Sequence, residues 1–132
     1  MNRLEVIRKV VNDILTKQSN LEERHCGLIH LYGVSTICSL LALKRGLNIE
    51  LCAIAGMLHD IYKYKTGNSI EHSKLGSIEA RKILNELKCF KENEINIICK
   101  SIYNHSDKHN IDNVYDEILK DSDALQHYLY NI

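Results

Sequence analysis

With 132 residues, 45% hydrophobic and 26% charged, the chain has enough apolar material for one core and little for a second. Lys plus Arg and Asp plus Glu both number 17, so the basic excess needed to coat a nucleic-acid backbone is missing. That argues against a large nucleic acid as partner and leaves a nucleotide-sized anion open. The cysteines, Cys26, Cys38, Cys52, Cys89 and Cys99, are odd in number and form no C-x-x-C pair. They read as reduced thiols in a reducing compartment, the last four acting as small hydrophobes in apolar stretches.

In chain order, Leu4, Ile7, Val10, Val11, Ile14 and Leu15 repeat at i, i+3, i+4, i+7 and predict a first helix with one buried face. Charge interleaves with apolar residues through MNRLEVIRKVVNDIL, so no signal peptide is expected. A second helix spans roughly 22–45 on Leu28, Leu31, Val34, Ile37, Cys38 and Leu41. It ends at Gly46, with Lys44 and Arg45 at the negative end of the dipole. A short, nearly all-apolar helix runs from about Ile49 to Tyr62. Its most apolar stretch, Ile49 to Leu58, contains Glu50 and is too short to span a bilayer. Lys63–Ser69, with Thr66, Gly67 and Asn68, reads as a loop, and Ser69-Ile-Glu-His resembles a helix start. Further helices are expected near 71–88, 92–104 and 113–130. There are no prolines to break a helix interior, and strand-like alternation, repeats and linkers are absent. The expectation is an all-α, single compact bundle of about six helices over 1–132, cytoplasmic and without a membrane partner.

The polar residues of the apolar segments carry the chemistry. His59-Asp60 closes the most apolar helix, in AIAGMLHDIYK, where a carboxylate is costly to desolvate unless it meets a cation or several donors. An imidazole and a carboxylate there make half of a divalent-metal site with mixed nitrogen and oxygen ligands. Neighbours on one helix diverge by about 100°, so the other half must come from elsewhere. Candidates are His30 in RHCGLIHLYGV, Asp123 in ILKDSDALQHY, His72 in EHSKLGSIEARKIL and His105 in IICKSIYNH. Inward-facing ligands from several helices are a known way to build such a centre. His25 rivals His30, and Asp116 and Asp121 rival Asp123. His109 and His127 read as structural or surface residues.

The order H…HD…D, with HD after an apolar run and Lys63 three residues beyond Asp60, resembles the HD superfamily of metal-dependent phosphohydrolases. AGMLHDIYK is similar to that family's central motif, His30 (four residues before Val34) to its first histidine, and Asp123 in DSDAL to its distal aspartate. The resemblance covers about residues 24–128. It implies an HD-type helical fold and hydrolysis of a phosphate ester or anhydride of a small phosphorylated molecule, a nucleotide or dinucleotide. It further implies His30, His59, Asp60 and Asp123 as metal ligands, and His72 and His105 as ligands of a second ion bridged by Asp60. The cofactor would be one or two divalent ions (Mn, Fe, Co, Mg or Ni) activating a water. Asp60 and Lys63 would be catalytic, the lysine holding a phosphate oxygen. Tyr62 stands where the family motif has glycine and is expected to reshape the pocket. The alternatives are a non-catalytic metal- or nucleotide-binding regulator and a di-iron enzyme that activates O₂.

Overall fold

Seven helices form along the residues that the computed structural model describes, 1–132. They are α1 (Arg3–Thr16), α2 (Leu21–Arg45), α3 (Ile49–Leu58), α4 (Ile61–Thr66), α5 (His72–Leu87), α6 (Glu92–Asn104) and α7 (Val114–Tyr130), with no strand. Asparagine starts four of them. Asn2, Asn20, Asn48 and Asn113 cap α1, α2, α3 and α7, each side-chain oxygen accepting a backbone N–H of the first turn. Gly46 and Gly67 close α2 and α4 in the left-handed conformation, φ 69° and 74°, which costs glycine little.

The expected third helix breaks in two, and a side chain accounts for the break. His59 Nδ1 donates to the Gly56 carbonyl at 2.7 Å, the oxygen that an unbroken helix would give to the Asp60 N–H. Asp60 then adopts φ −115°, ψ 15°, in the sparsely populated bridge region. The chain restarts as α4, which runs to Thr66 through residues expected to form a loop, and this is the seventh helix. The next helix begins at His72, close to the expected 71, but its N-cap is Glu71 and not Ser69; Glu71 sits at φ 51° and caps nothing with its side chain.

One apolar cluster of 24 buried residues draws on all seven helices. Ile7, Val11 and Leu15 bury α1 as their spacing predicts. On α2 the buried stripe is His30, Val34, Cys38 and Ala42, four residues apart throughout, so a histidine holds a place in a core row. Leu28, expected inside, is exposed. By length and composition α2 could cross a membrane; here its buried row packs against α3 and α7, while Leu21, Leu28, Leu40 and Leu43 are exposed. The α2–α3 crossing is tight. A Cβ on Gly56 would stand 2.7 Å from the Ser35 Cα, and Ser35 Oγ donates to the Ala53 carbonyl at 2.8 Å.

Two ionic clusters fix where the helices start. Lys120 of α7, nearly buried, pairs with Asp112 at 2.7 Å and Glu117 at 3.0 Å and donates to the Asn110 carbonyl at 2.7 Å. Asp116 accepts from Ser101 and Asn104 of α6. Together they set the register that turns Asp123 inward two turns later. At the other end Arg3 forks between Glu50 of α3 and Glu94 of α6, donates to the Cys89 carbonyl and lies 4.5 Å over the Phe90 ring.

Arg3 therefore welds α1 to two other helices, and Arg3→Met is expected to cost about 1–2 kcal/mol, because charge-assisted forks outlast single exposed pairs. Hydrogen bonds from Arg3, then from the Lys91 backbone, hold the Glu94 carboxyl down at about 2 from an ordinary 4.5. A depressed carboxyl contributes stability that is complete above its unfolded value and is lost as pH falls through its folded one. Urea melts from pH 5 to pH 2 should show that loss in the native chain and a smaller one in Arg3→Met.

Candidate metal centre

Two helices and one helix break converge on a single point. His30 comes from the buried row of α2, His59 and Asp60 from the α3–α4 break, and Asp123 from α7. His30 Nε2 lies 3.1 Å from Asp60 Oδ2 and 3.2 Å from Asp123 Oδ1. His59 Nε2 lies 3.3 Å from Asp60 Oδ2, 3.6 Å from Asp123 Oδ1 and 3.0 Å from His30 Nε2. The break explains how adjacent residues face one centre, which an unbroken helix would forbid. On the far side of the same carboxylate, Asp60 Oδ1 lies 3.2 Å from His105 Nε2 and 3.5 Å from His72 Nε2. Asp60 thus offers one oxygen to each of two donor groups.

The hydrogen bonds behind the imidazoles decide which nitrogen faces inward. His59 Nδ1 donates to Gly56 O, His105 Nδ1 to Ile102 O at 2.6 Å and His72 Nδ1 to Ser69 O at 3.0 Å, each three residues back; His30 Nδ1 donates to Gln126 Oε1 at 2.7 Å. A carbonyl oxygen only accepts, so all four Nδ1 atoms carry hydrogen. In the neutral ring every Nε2 then presents a lone pair to the centre, the usual outer support of metal-ligating histidine.

Two further observations fit a cation. Asp60 Oδ1 and Asp123 Oδ1 are buried without a hydrogen-bond partner, a costly state for carboxylate oxygens unless positive charge meets them. The donor spacing also suits one. Donors about 2.1 Å from a common centre stand about 3.0 Å apart across an octahedral edge and about 3.4 Å across a tetrahedral one. The cluster His30, His59, Asp60 and Asp123 and the cluster Asp60, His72 and His105 could each hold an ion.

The charge balance of these buried groups makes the same demand for positive charge. Burial pushes His59 toward its neutral form, but the Asp60 and Asp123 carboxylates override it and hold the imidazolium above the ordinary histidine range. Burial also raises Asp60, yet His59, His105 and His30 together hold it well below the carboxylate range. Without a metal, then, a proton on His59 answers the carboxylates, and a divalent ion would have to displace it.

Of the expected residues, Lys63 stands apart from both donor groups. It is half-buried on α4, its ammonium 5.5 Å from the Tyr64 ring centroid, with no ion pair. Tyr62, in the glycine position, turns toward α5, its Cβ 3.9 Å from where a Cβ on Gly76 would stand. His25 is exposed, Asp121 pairs with Arg45 at the surface and Asp116 belongs to the α6–α7 anchor, which leaves His30 and Asp123 as the inward members of their groups. Three residues were not expected at the site. Gln126 supports His30. Lys108 Nζ donates to Asp123 Oδ2 at 2.8 Å and to the His105 carbonyl at 3.0 Å. His127, exposed as expected, nonetheless stands 3.5 Å from Asp123 Oδ1, its ring 4.7 Å from that of His30. Gln126 and His127 follow Asp123 by three and four residues, a helical spacing that brings them to its side of α7; nothing in the sequence singles out Lys108.

The family model described as HD domain matches residues 27–128. The crystal structure of a predicted HD superfamily hydrolase from an uncultured Thermotogales bacterium matches with a TM-score of 0.73 at 22% identity, over 92% of this chain and 66% of that one. The chain thus shares that protein's fold and spans just under two thirds of its length. The chain belongs to the HD domain family.

Proposed function

We propose that the protein is a metal-dependent phosphohydrolase acting on a phosphate ester or anhydride of a small molecule, a nucleotide in the first instance. The observation that carries this is Asp60, whose two oxygens each face a separate histidine-containing donor group. In this reading His30, His59, Asp60 and Asp123 hold one divalent ion, and Asp60, His72 and His105 a second. Four imidazoles favour Mn, Fe, Co or Ni over Mg, which prefers an all-oxygen shell.

When bound, the ions supply an activated water and Lewis acidity toward the phosphoryl group. The chain's own residues do the rest. Asp60 and Asp123 offset the cations, so a polyanionic substrate meets a site of moderate positive charge. Lys108 restrains the outer oxygen of Asp123 and leaves Oδ1 facing inward. Lys63, one turn beyond Asp60 and free of any carboxylate, is the side chain to take a phosphate oxygen and meet developing negative charge. A chain of zero net charge suits a small phosphorylated partner rather than a large nucleic acid, and no membrane is required. The five unpaired cysteines support a reducing compartment such as the cytoplasm.

The test is phosphate release from a nucleotide panel by chain loaded with Mn²⁺, Fe²⁺, Co²⁺, Ni²⁺ or Mg²⁺. Turnover with at least one pair is expected. Nucleotide binding without turnover would favour a regulator, and oxygen consumption by the iron form an oxygenase. His72→Ala should lower turnover more than it lowers occupancy of the first ion, because His72 faces only the Oδ1 side of Asp60; metal analysis alongside phosphate release separates the two.

A further inference from the structure

A cavity of about 250 Å³ shares a wall with the metal centre, and its lining differs in kind from the centre. Its sides are Ile29, Tyr64 and Tyr130, and its polar edge is Gln126 and His127, with His30 common to both. Pockets that enclose a whole drug-sized ligand run to about 300–1,000 Å³, so this one suits part of a molecule, a flat ring rather than an entire substrate.

The chain makes room for it locally. Gly27 has no side chain, and a Cβ there would come within 3.1 Å of the Tyr64 ring; its absence lets that ring lie against α2. Tyr64 is 6% exposed, yet its hydroxyl makes no hydrogen bond within the chain, and neither does the Gln126 amide nitrogen, whose oxygen is committed to His30. Tyr130 is largely exposed, an aromatic face with nothing stacked on it. Two tyrosines in one lining, with an uncommitted hydroxyl and amide in the same cavity, match a heteroaromatic ring with hydrogen-bonding edges.

We propose that this cavity receives the nucleobase-like ring of the substrate, while the phosphoryl group reaches the donor atoms on the other face of His30. The inference rests on the phosphohydrolase reading for its orientation, but the ring site can be tested without any phosphate. Cys26 lines the same cavity and is exposed, whereas Cys89 lies outside it. Alkylation of the full chain by iodoacetamide, followed by peptide mass spectrometry, therefore reports on occupancy with an internal control.

Adenosine, guanosine, cytidine and uridine are offered at millimolar concentration, with ribose as the ring-free comparison. At least one nucleoside should slow alkylation of Cys26 and leave Cys89 unchanged, and ribose should slow neither. Tyr130→Ala, at an exposed position that contributes no core volume, should weaken that protection about tenfold, the size expected for one lost stacking partner. Tyr64→Phe, which keeps the ring and its packing, should weaken it about fivefold through the lost hydroxyl. The proposal is overturned if no nucleoside protects Cys26, if Cys89 is protected equally, or if Tyr130→Ala protects as well as the native chain. Protection without phosphate release in the nucleotide screen would sink the phosphohydrolase reading and keep the ring site; release without protection would do the reverse.

Discussion

Asp60→Ala is expected to lose metal binding and activity together and to keep its helices. Removing either oxygen of Asp60 would deprive one donor group, and the alanine deprives both. Mutating an outer partner of a metal ligand already costs about 10–100-fold in affinity, so loss of the shared ligand itself should exceed 100-fold. The fold has little reason to follow. Asp60 lies in a helix break, outside the apolar cluster, and in the metal-free chain it is a buried carboxylate with an unpartnered oxygen. Circular dichroism should be near native. The rise in melting temperature that a bound ion gives the native chain by mass action should vanish. Asp60→Asn is the sharper variant: it keeps the shape and removes the charge, and should fail almost as completely. Retained metal content in either variant would remove Asp60 from the ligand set.

Gly56→Ala should damage both fold and site, although alanine is the better helix former. The propensity gain is at most about 1 kcal/mol. Against it, the new methyl would lie 2.7 Å from the Ser35 Cα and 2.9 Å from the Ser35 nitrogen. Both are backbone atoms that cannot swing aside, so α2 and α3 must part. Overpacking of this kind costs about 1–3 kcal/mol, occasionally more, and the clash wins. His30 sits on one of the parting helices and His59 at the end of the other, three residues beyond the glycine whose carbonyl orients it. Metal affinity should therefore fall along with the urea midpoint. Gly76→Ala is the control. Its Cβ would meet only ordinary contacts, the closest 3.4 Å from the His59 carbonyl, so there propensity should win and stability hold or rise slightly.

Helix positions were largely legible because their signals are local. The stripe Ile7, Val11 and Leu15 and the stop at Gly46 follow from periodicity and caps. The break after Leu58 was not, because no proline or glycine makes it; a histidine ring competing for the Gly56 carbonyl does. Reading 49–62 as one helix predicted diverging side chains for His59 and Asp60, whereas the break turns both onto one centre. The distant members of the cluster were legible only in order along the chain. That His30, His72, His105 and Asp123 meet is a property of packing. Gln126 and Lys108 escaped notice because their roles depend on which atom lies behind His30 and Asp123, and sequence spacing carries no such information.

A crystal grown from metal-loaded protein, with diffraction recorded on either side of the metal absorption edge, bears most directly on the centre. An anomalous peak about 2.0–2.2 Å from His30 Nε2, His59 Nε2, Asp60 Oδ2 and Asp123 Oδ1 is the expected result, with a second peak on the Oδ1 side of Asp60 at full loading. Peaks confined to surface residues, or a loaded protein with no peak among these four side chains, would contradict it.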